Sequence, residues 1–117
     1  MSEAYRIIYS PAALDDLDSI YLYIAYQLGA GQTAKSQVNR IREEIRSLDV
    51  FPKRYTTVDW EPWASAGMHK VSVNNFVIYY LVDDKSMLVT IFRIFYGGRD
   101  VESIVNYNES GQIIADI

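Results

Sequence analysis

Cysteine is absent from the 117 residues, and histidine occurs once, at His69. The first absence removes any disulfide framework and any thiolate metal site. The second removes a histidine cluster, so neither a metal nor another cofactor is expected. No apolar run approaches the ~20 residues that a membrane-spanning helix needs. The opening MSEAYRIIYSP lacks the basic start and apolar stretch of a signal peptide. Basic residues are the minority: eleven Lys and Arg stand against fifteen Asp and Glu, a formal charge of −4. General affinity for nucleic acid rests on Lys and Arg displacing phosphate counterions. Neither that nor direct sequence-specific DNA binding is therefore expected, although a local basic patch stays open. These absences predict a soluble, cytoplasmic protein with no membrane partner.

What is present suffices for one compact domain over residues 1–117. Half of the residues are hydrophobic, and ten are tyrosine, a side chain suited to half-buried strands and contact surfaces. Tyr5 to Tyr9 reads as a short strand that stops at Ser10-Pro11, a strong helix start. Asp15 and Asp16 follow in the early turns, where carboxylates favour the positive end of the helix dipole. Leu14, Leu17, Ile20, Ile24 and Leu28 recur at three- and four-residue steps and predict one buried face, with Gly29 ending the helix. After Gly29-Ala30-Gly31, a second helix has the seam Ala34, Val38, Ile41, Ile45 and Leu48. Its other faces are charged, with an Arg40–Glu44 pair at i,i+4. The short link predicts an antiparallel αα-hairpin, closed by Phe51-Pro52. Lys53 to Gly67 is irregular, and its Trp60 and Trp63 are expected to fold down onto the core.

Met68 to Arg99 organises the rest. Three apolar, β-branched and aromatic runs, separated by Asn74-Asn75 and by Asp83 to Ser86, predict an antiparallel meander. A two-residue turn at Asn74-Asn75 pairs Val73 with Phe76 and sets Lys70 opposite Tyr79. His69 alternates away from Lys70 and takes a structural position. An even loop at the second turn puts Arg93 on the face opposite Lys70; an odd loop with a bulge brings the two together. Both phases of these strands are apolar, so both sheet faces need cover. The hairpin covers one. The tryptophan loop, the C-terminal tail or another protein must cover the other. Arg93, inside an apolar strand, needs a partner such as Asp83, Asp100 or a carboxylate from a bound protein. Arg99 to Tyr107 reads as a short terminal helix. The class is α+β: an N-terminal strand and an αα-hairpin packed on a small antiparallel sheet.

Four stretches in this order, YSPAALDDLDSIYLYI, RIREEIRSLDVFP, HKVSVNNFVIYYLVDD and IFRIFYGGRDV, resemble the RelE/ParE superfamily of bacterial toxins across about residues 5 to 105. The opening S-P-A-A-x-x-D-L looks more like the ParE branch. The resemblance implies the toxin of a type II toxin–antitoxin, or plasmid stabilisation, module. It also implies a cognate antitoxin that folds on binding. ParE-like members inhibit DNA gyrase; RelE-like members cleave mRNA on the ribosome. Where ribonuclease members usually carry arginine after the first-turn aromatic, Phe76 is followed by Val77. Where they carry a basic residue near the end of the last strand, this chain has Tyr96-Gly97-Gly98. Arg93 and Arg99 match the ParE-like pattern, which favours the gyrase reading. In the alternative reading, an endoribonuclease free of metal, Lys70, Arg93, Tyr96 and Arg99 would clamp phosphate and relay protons. In the favoured reading Lys70, Tyr79, Arg93, Phe95, Tyr96 and Arg99 contact a partner, and Arg93→Ala is expected to weaken toxicity while sparing the fold.

Overall fold

The computed structural model describes residues 4–97. Arg99, the terminal helix expected from it to Tyr107 and the tail lie outside the described residues. The order is strand β1 (Arg6–Tyr9), helix α1 (Pro11–Leu22) running into a π turn (Tyr23–Gln27), helix α2 (Gly31–Arg46), helix α3 (Trp63–Ala66), and strands β2 (His69–Val73), β3 (Phe76–Asp83) and β4 (Leu88–Tyr96). The sheet order is β1-β4-β3-β2. β2, β3 and β4 form the expected antiparallel meander. β1 adds to β4 in parallel, Arg6 facing Leu88 and Tyr9 facing Ile91, so the whole sheet is mixed. The helical hairpin supplies the long connection that a return in the same direction requires.

Ser10 does more than cap α1. Its Oγ accepts from the Ala13 N–H at 3.0 Å and donates to the Phe92 carbonyl of β4 at 2.7 Å. Ser10→Ala therefore loses a helix cap and a tie to the sheet together. The expected cost is about 1–2 kcal/mol in chemical denaturation. Exposed Ser19→Ala serves as a control that should leave the midpoint unchanged.

The buried stripe of α1 departs from expectation. Ala13, Leu17 and Ile24 face the core, whereas Leu14 and Leu28 are 45% and 59% exposed. Ala13, with no side chain beyond Cβ, lies against the sheet and turns the helix so that Leu14 points away. The π turn then widens the helix after Leu22, so the four-residue step from Ile24 to Leu28 no longer returns to the same face. Gly29, at φ +63°, ends the helix as expected. The α2 seam is borne out in full: Ala34, Val38, Ile41, Ile45 and Leu48 are all buried. Glu44 does not pair with Arg40; it accepts from the Tyr55 hydroxyl at 2.7 Å and lies 3.8 Å from Arg54. Arg54 also donates to the Val50 and Phe51 carbonyls at 2.7 and 3.1 Å, fixing the chain as it leaves α2.

Two cores result. The hairpin and one sheet face enclose Leu17, Ile41, Ile78, Tyr80, Ile91 and Ile94, among others. On the opposite face Val58, Trp63, Met68, Tyr79, Phe92 and Phe95 pack together, with Trp60 partly buried beside them. The tryptophan loop is thus the cover for the second face. It continues the sheet at the β2 edge, where the Val58 N–H donates to Met68 at 2.9 Å and the Lys70 N–H to Thr56 at 3.0 Å.

His69 is structural. Its Nδ1 lies 2.7 Å from the Tyr55 carbonyl, which only accepts, so Nδ1 carries the hydrogen. Its ring stacks on Tyr80 at 5.2 Å. Tyr80 is fully buried and donates to the Pro52 carbonyl at 2.6 Å. Burial pushes its phenol well above the ordinary tyrosine range. The unfolded chain releases that proton near pH 10 while the folded one holds it, so stability is complete below pH ~10 and falls as pH rises above it. Tyr80→Phe is expected to flatten this alkaline slope in urea denaturation, at a cost of about 1 kcal/mol at neutral pH for the lost hydrogen bond. An unchanged slope would remove Tyr80 as its source.

Candidate functional site

The register at Asn74-Asn75 is the predicted one, with Val73 opposite Phe76 and Lys70 opposite Tyr79. Asn74, at φ +56°, supplies the left-handed residue that the two-residue turn requires. The second turn has an even, four-residue loop from Asp84 to Met87, since Asp83 pairs with Leu88. The phase is changed elsewhere. Tyr79 pairs with Arg93 and Tyr80 with Ile91, so Phe92 is an extra residue in β4. This bulge, not the turn, decides the question left open by the sequence. Lys70, Tyr79 and Arg93 form one row across three strands.

The row does not present two free cations. Arg93 donates from Nε and a terminal nitrogen to both oxygens of Asp16 on α1, at 2.8 and 3.0 Å. Asp16 also accepts from the Ile94 N–H at 2.9 Å. β1 ends opposite Ile91, so beyond that point Asp16 takes the place of a neighbouring strand. The Arg93 and Asp16 side chains are only 18% and 13% exposed. The guanidinium also lies 4.4 Å from the centre of the Phe95 ring. Asp16 stands in place of the expected partner Asp83, and Asp100 lies outside the described residues. Asp83 instead accepts from the Lys85 N–H and shapes its own turn.

The remaining candidates separate. Lys70 is exposed, and its ammonium has no hydrogen bond or ion pair among the described residues. Tyr79 and Phe95 are buried, 7% and 3% exposed, beneath the tryptophan loop. They pack the second core and offer a partner little surface. Burial also pushes the Tyr79 phenol up, away from any proton transfer near neutrality. Tyr96 is 53% exposed and stands edge-on to Phe76 at 6.0 Å. Among the described residues no His, Cys, Asp or Glu group of three or more is placed to hold a metal ion. No helix among them is long and apolar enough to cross a membrane.

Tyr96 opens onto a feature that the sequence does not reveal. A groove of about 710 Å³ runs between the end of α1, the first half of α2 and the ends of β3 and β4. Tyr23, Leu28, Phe76 and Tyr96 give it apolar walls, with Asp16 and Gln37 among its polar members. Gln37 accepts from the Asn74 side chain at 3.1 Å, while its buried Nε2 has no partner. Such a wall suits a peptide segment with large apolar side chains.

A family model described as the ParE toxin of the type II toxin–antitoxin system parDE matches residues 7–101. Among solved structures, one of the chromosomal ParDE system of P. aeruginosa aligns at a TM-score of 0.65 and 21% identity, covering 81% of this chain and 98% of that one. The toxin–antitoxin complex RelBE2 of Mycobacterium tuberculosis aligns at 0.59 and 19% identity, with 80% and 98% covered. The archaeal RelE–RelB complex of Pyrococcus horikoshii aligns at 0.59 and 16% identity, with 82% and 98% covered. At these identities the structures establish the shared fold. No curated protein sequence matches the chain.

Proposed function

This chain belongs to the ParE toxin family of type II toxin–antitoxin systems, and we propose that it inhibits growth through DNA gyrase, as a binding protein rather than a nuclease, and is neutralised by a cognate antitoxin. The observation that carries the non-nucleolytic reading is the Asp16 clamp on Arg93. A nuclease needs that guanidinium free to meet phosphate charge in the transition state. Here one edge of it, Nε and a terminal nitrogen, is held and neutralised by both oxygens of Asp16. The net charge of −4 acts in the same direction, opposing approach to the anionic ribosome. The ParDE neighbour in P. aeruginosa has the highest of the three alignment scores. In the alternative reading, a ribosome-dependent endoribonuclease, Lys70 and Tyr96 stay accessible and Arg99 would have to supply the clamp.

For the antitoxin, the groove lined by Tyr23, Leu28, Phe76 and Tyr96 is the proposed seat. RelB–RelE and RelBE2 are themselves toxin–antitoxin complexes. A segment that folds on binding covers apolar walls at the cost of its own ordering. Lys70 remains a contact point for the target.

Tightly controlled expression tests the target. DNA-damage signalling and altered plasmid supercoiling with intact mRNA are the expected outcome. Rapid translation arrest with in-frame mRNA cuts would transfer the assignment to the ribonuclease.

A further inference from the structure

Beyond α2 the chain holds an aromatic ring where folding alone gives no reason for one. Phe51 is 78% exposed, and no large hydrophobic side chain among the described residues is more so. Its backbone is left-handed, at φ +49° and ψ +54°, a conformation that bulky residues rarely adopt. Carbonyls on both sides of the ring are clamped. Arg54 donates to those of Val50 and Phe51, and the buried Tyr80 hydroxyl donates to that of Pro52 at 2.6 Å. A rigid turn therefore presents the ring, with half-exposed Val50 beside it. Backbone strain held in place by its surroundings, together with an aromatic ring kept in water, marks a contact point.

A cavity of about 550 Å³ opens beside this ring, with Tyr5, Pro52 and Met87 among its apolar walls. Lys53 and Asp84 also line it and pair with each other, and the Tyr5 hydroxyl donates to Asp84 at 2.8 Å. Arg54 adds little free charge, since its guanidinium is spent on carbonyls and lies 3.8 Å from Glu44. One patch thus carries a knob and a hole, a cation and an anion. A twofold axis through it sets each feature against its complement. We propose that this patch joins two copies of the chain. The Phe51 ring of one copy enters the cavity of the other, and the two Lys53–Asp84 pairs form one alternating set of four charges. The patch is small beside the 20–30 residues a side of a standard interface, so the dissociation constant is on the order of 0.1 mM. Other occupants fit less well. The balanced charge gives no hold on an acidic segment such as the chain beyond residue 97, where Asp100, Glu102, Glu109 and Asp116 outnumber Arg99. The groove opens at the start of β3 and this patch lies just past its end, eight residues or about 25 Å away. A growth target held here would stay held with the antitoxin in that groove. This last step rests on the groove being the antitoxin's seat; the pairing of copies does not.

Sedimentation equilibrium of the full chain, at concentrations from about tenfold below to about tenfold above that constant, should show monomer passing to dimer. In the nitrogen-15 labelled protein, the amides of residues 50–54 and 84–87 should move on dilution. Phe51→Asn removes the ring with a residue that suits a left-handed backbone. It should weaken association at least about tenfold and leave the urea midpoint unchanged or higher. Lys53→Glu and Asp84→Lys should each stay monomeric alone, since like charges then meet across the axis. Mixed together they should associate, since each copy then meets the opposite sign. Sedimentation that does not change with concentration, a Phe51→Asn variant that pairs as well as the parent, or charge variants that stay apart when mixed would overturn the proposal. So would amides beyond residue 97 that shift in dilute Phe51→Asn, which would make the tail the occupant.

Discussion

Arg93→Ala is expected to cost about 3 kcal/mol of stability, the low end for breaking an ion pair that is largely but not wholly buried. The reason lies in the residue left behind. Asp16 is 13% exposed and accepts from Arg93 Nε, a terminal guanidinium nitrogen and the Ile94 N–H. Without the guanidinium its charge keeps one backbone hydrogen bond and no cation. Arg93→Lys should recover only part, because an ammonium cannot meet both carboxylate oxygens in the same plane. The double variant Asp16→Ala/Arg93→Ala should be less destabilised than the sum of the two single ones, since neither member is then left alone. Urea denaturation of the parent and these four variants measures this. The sequence had placed Arg93 at a contact surface, with Arg93→Ala reducing toxicity and sparing the fold. Loss of growth inhibition with an unchanged denaturation midpoint would restore that role.

Trp63→Ala should cost about 3–5 kcal/mol, the range for truncating a large buried aromatic. Trp63 is 7% exposed, its ring centre is 4.8 Å from that of Phe92, and it belongs to the cluster that covers the second sheet face. Removing it opens a cavity against Phe92 in the second core and unpins the loop from Lys53 to Gly67. Trp63→Phe should cost much less, about 1 kcal/mol, since the indole Nε1 is buried with no partner and phenylalanine removes that unmet donor while keeping a ring. Trp60→Ala, at a partly buried position, should fall within about 1 kcal/mol of the parent. Tryptophan fluorescence during denaturation reads all three. Equal costs for Trp60→Ala and Trp63→Ala would show that the loop is held by its backbone pairing with β2 rather than by the Trp63 ring.

The local elements were legible because their causes are local. Ser10-Pro11 starts α1, Gly29 ends it, and the three- and four-residue spacing from Ala34 to Leu48 puts five side chains in one seam. Asn74 tolerates a positive φ, and with that turn fixed the Val73–Phe76 and Lys70–Tyr79 pairs follow by counting. The stripe on α1 was only partly legible. Leu14 and Leu28 fit an ideal helical period, but Ala13 lets the helix approach the sheet and the π turn breaks the period. The groove was not legible at all, because its walls come from elements far apart in the chain.

The ordered series of motifs determined the family, since strand, hairpin, loop and meander each have a signature within a few residues. It also determined that both sheet faces needed cover. Only the tertiary structure decided what supplies the second cover and what Arg93 is for. Asp16 and Arg93 are 77 residues apart, and they meet around the edge of β4: the bulge at Phe92 sets Arg93 in the row with Lys70 and Tyr79, and because β1 stops opposite Ile91 the edge beyond is open to Asp16 of the helix that follows β1. A bulge shifts phase by one residue without leaving a mark in the apolar pattern of β4, where both phases are hydrophobic. The charges were visible in the sequence; which of them remain free to act was set by the register of one strand.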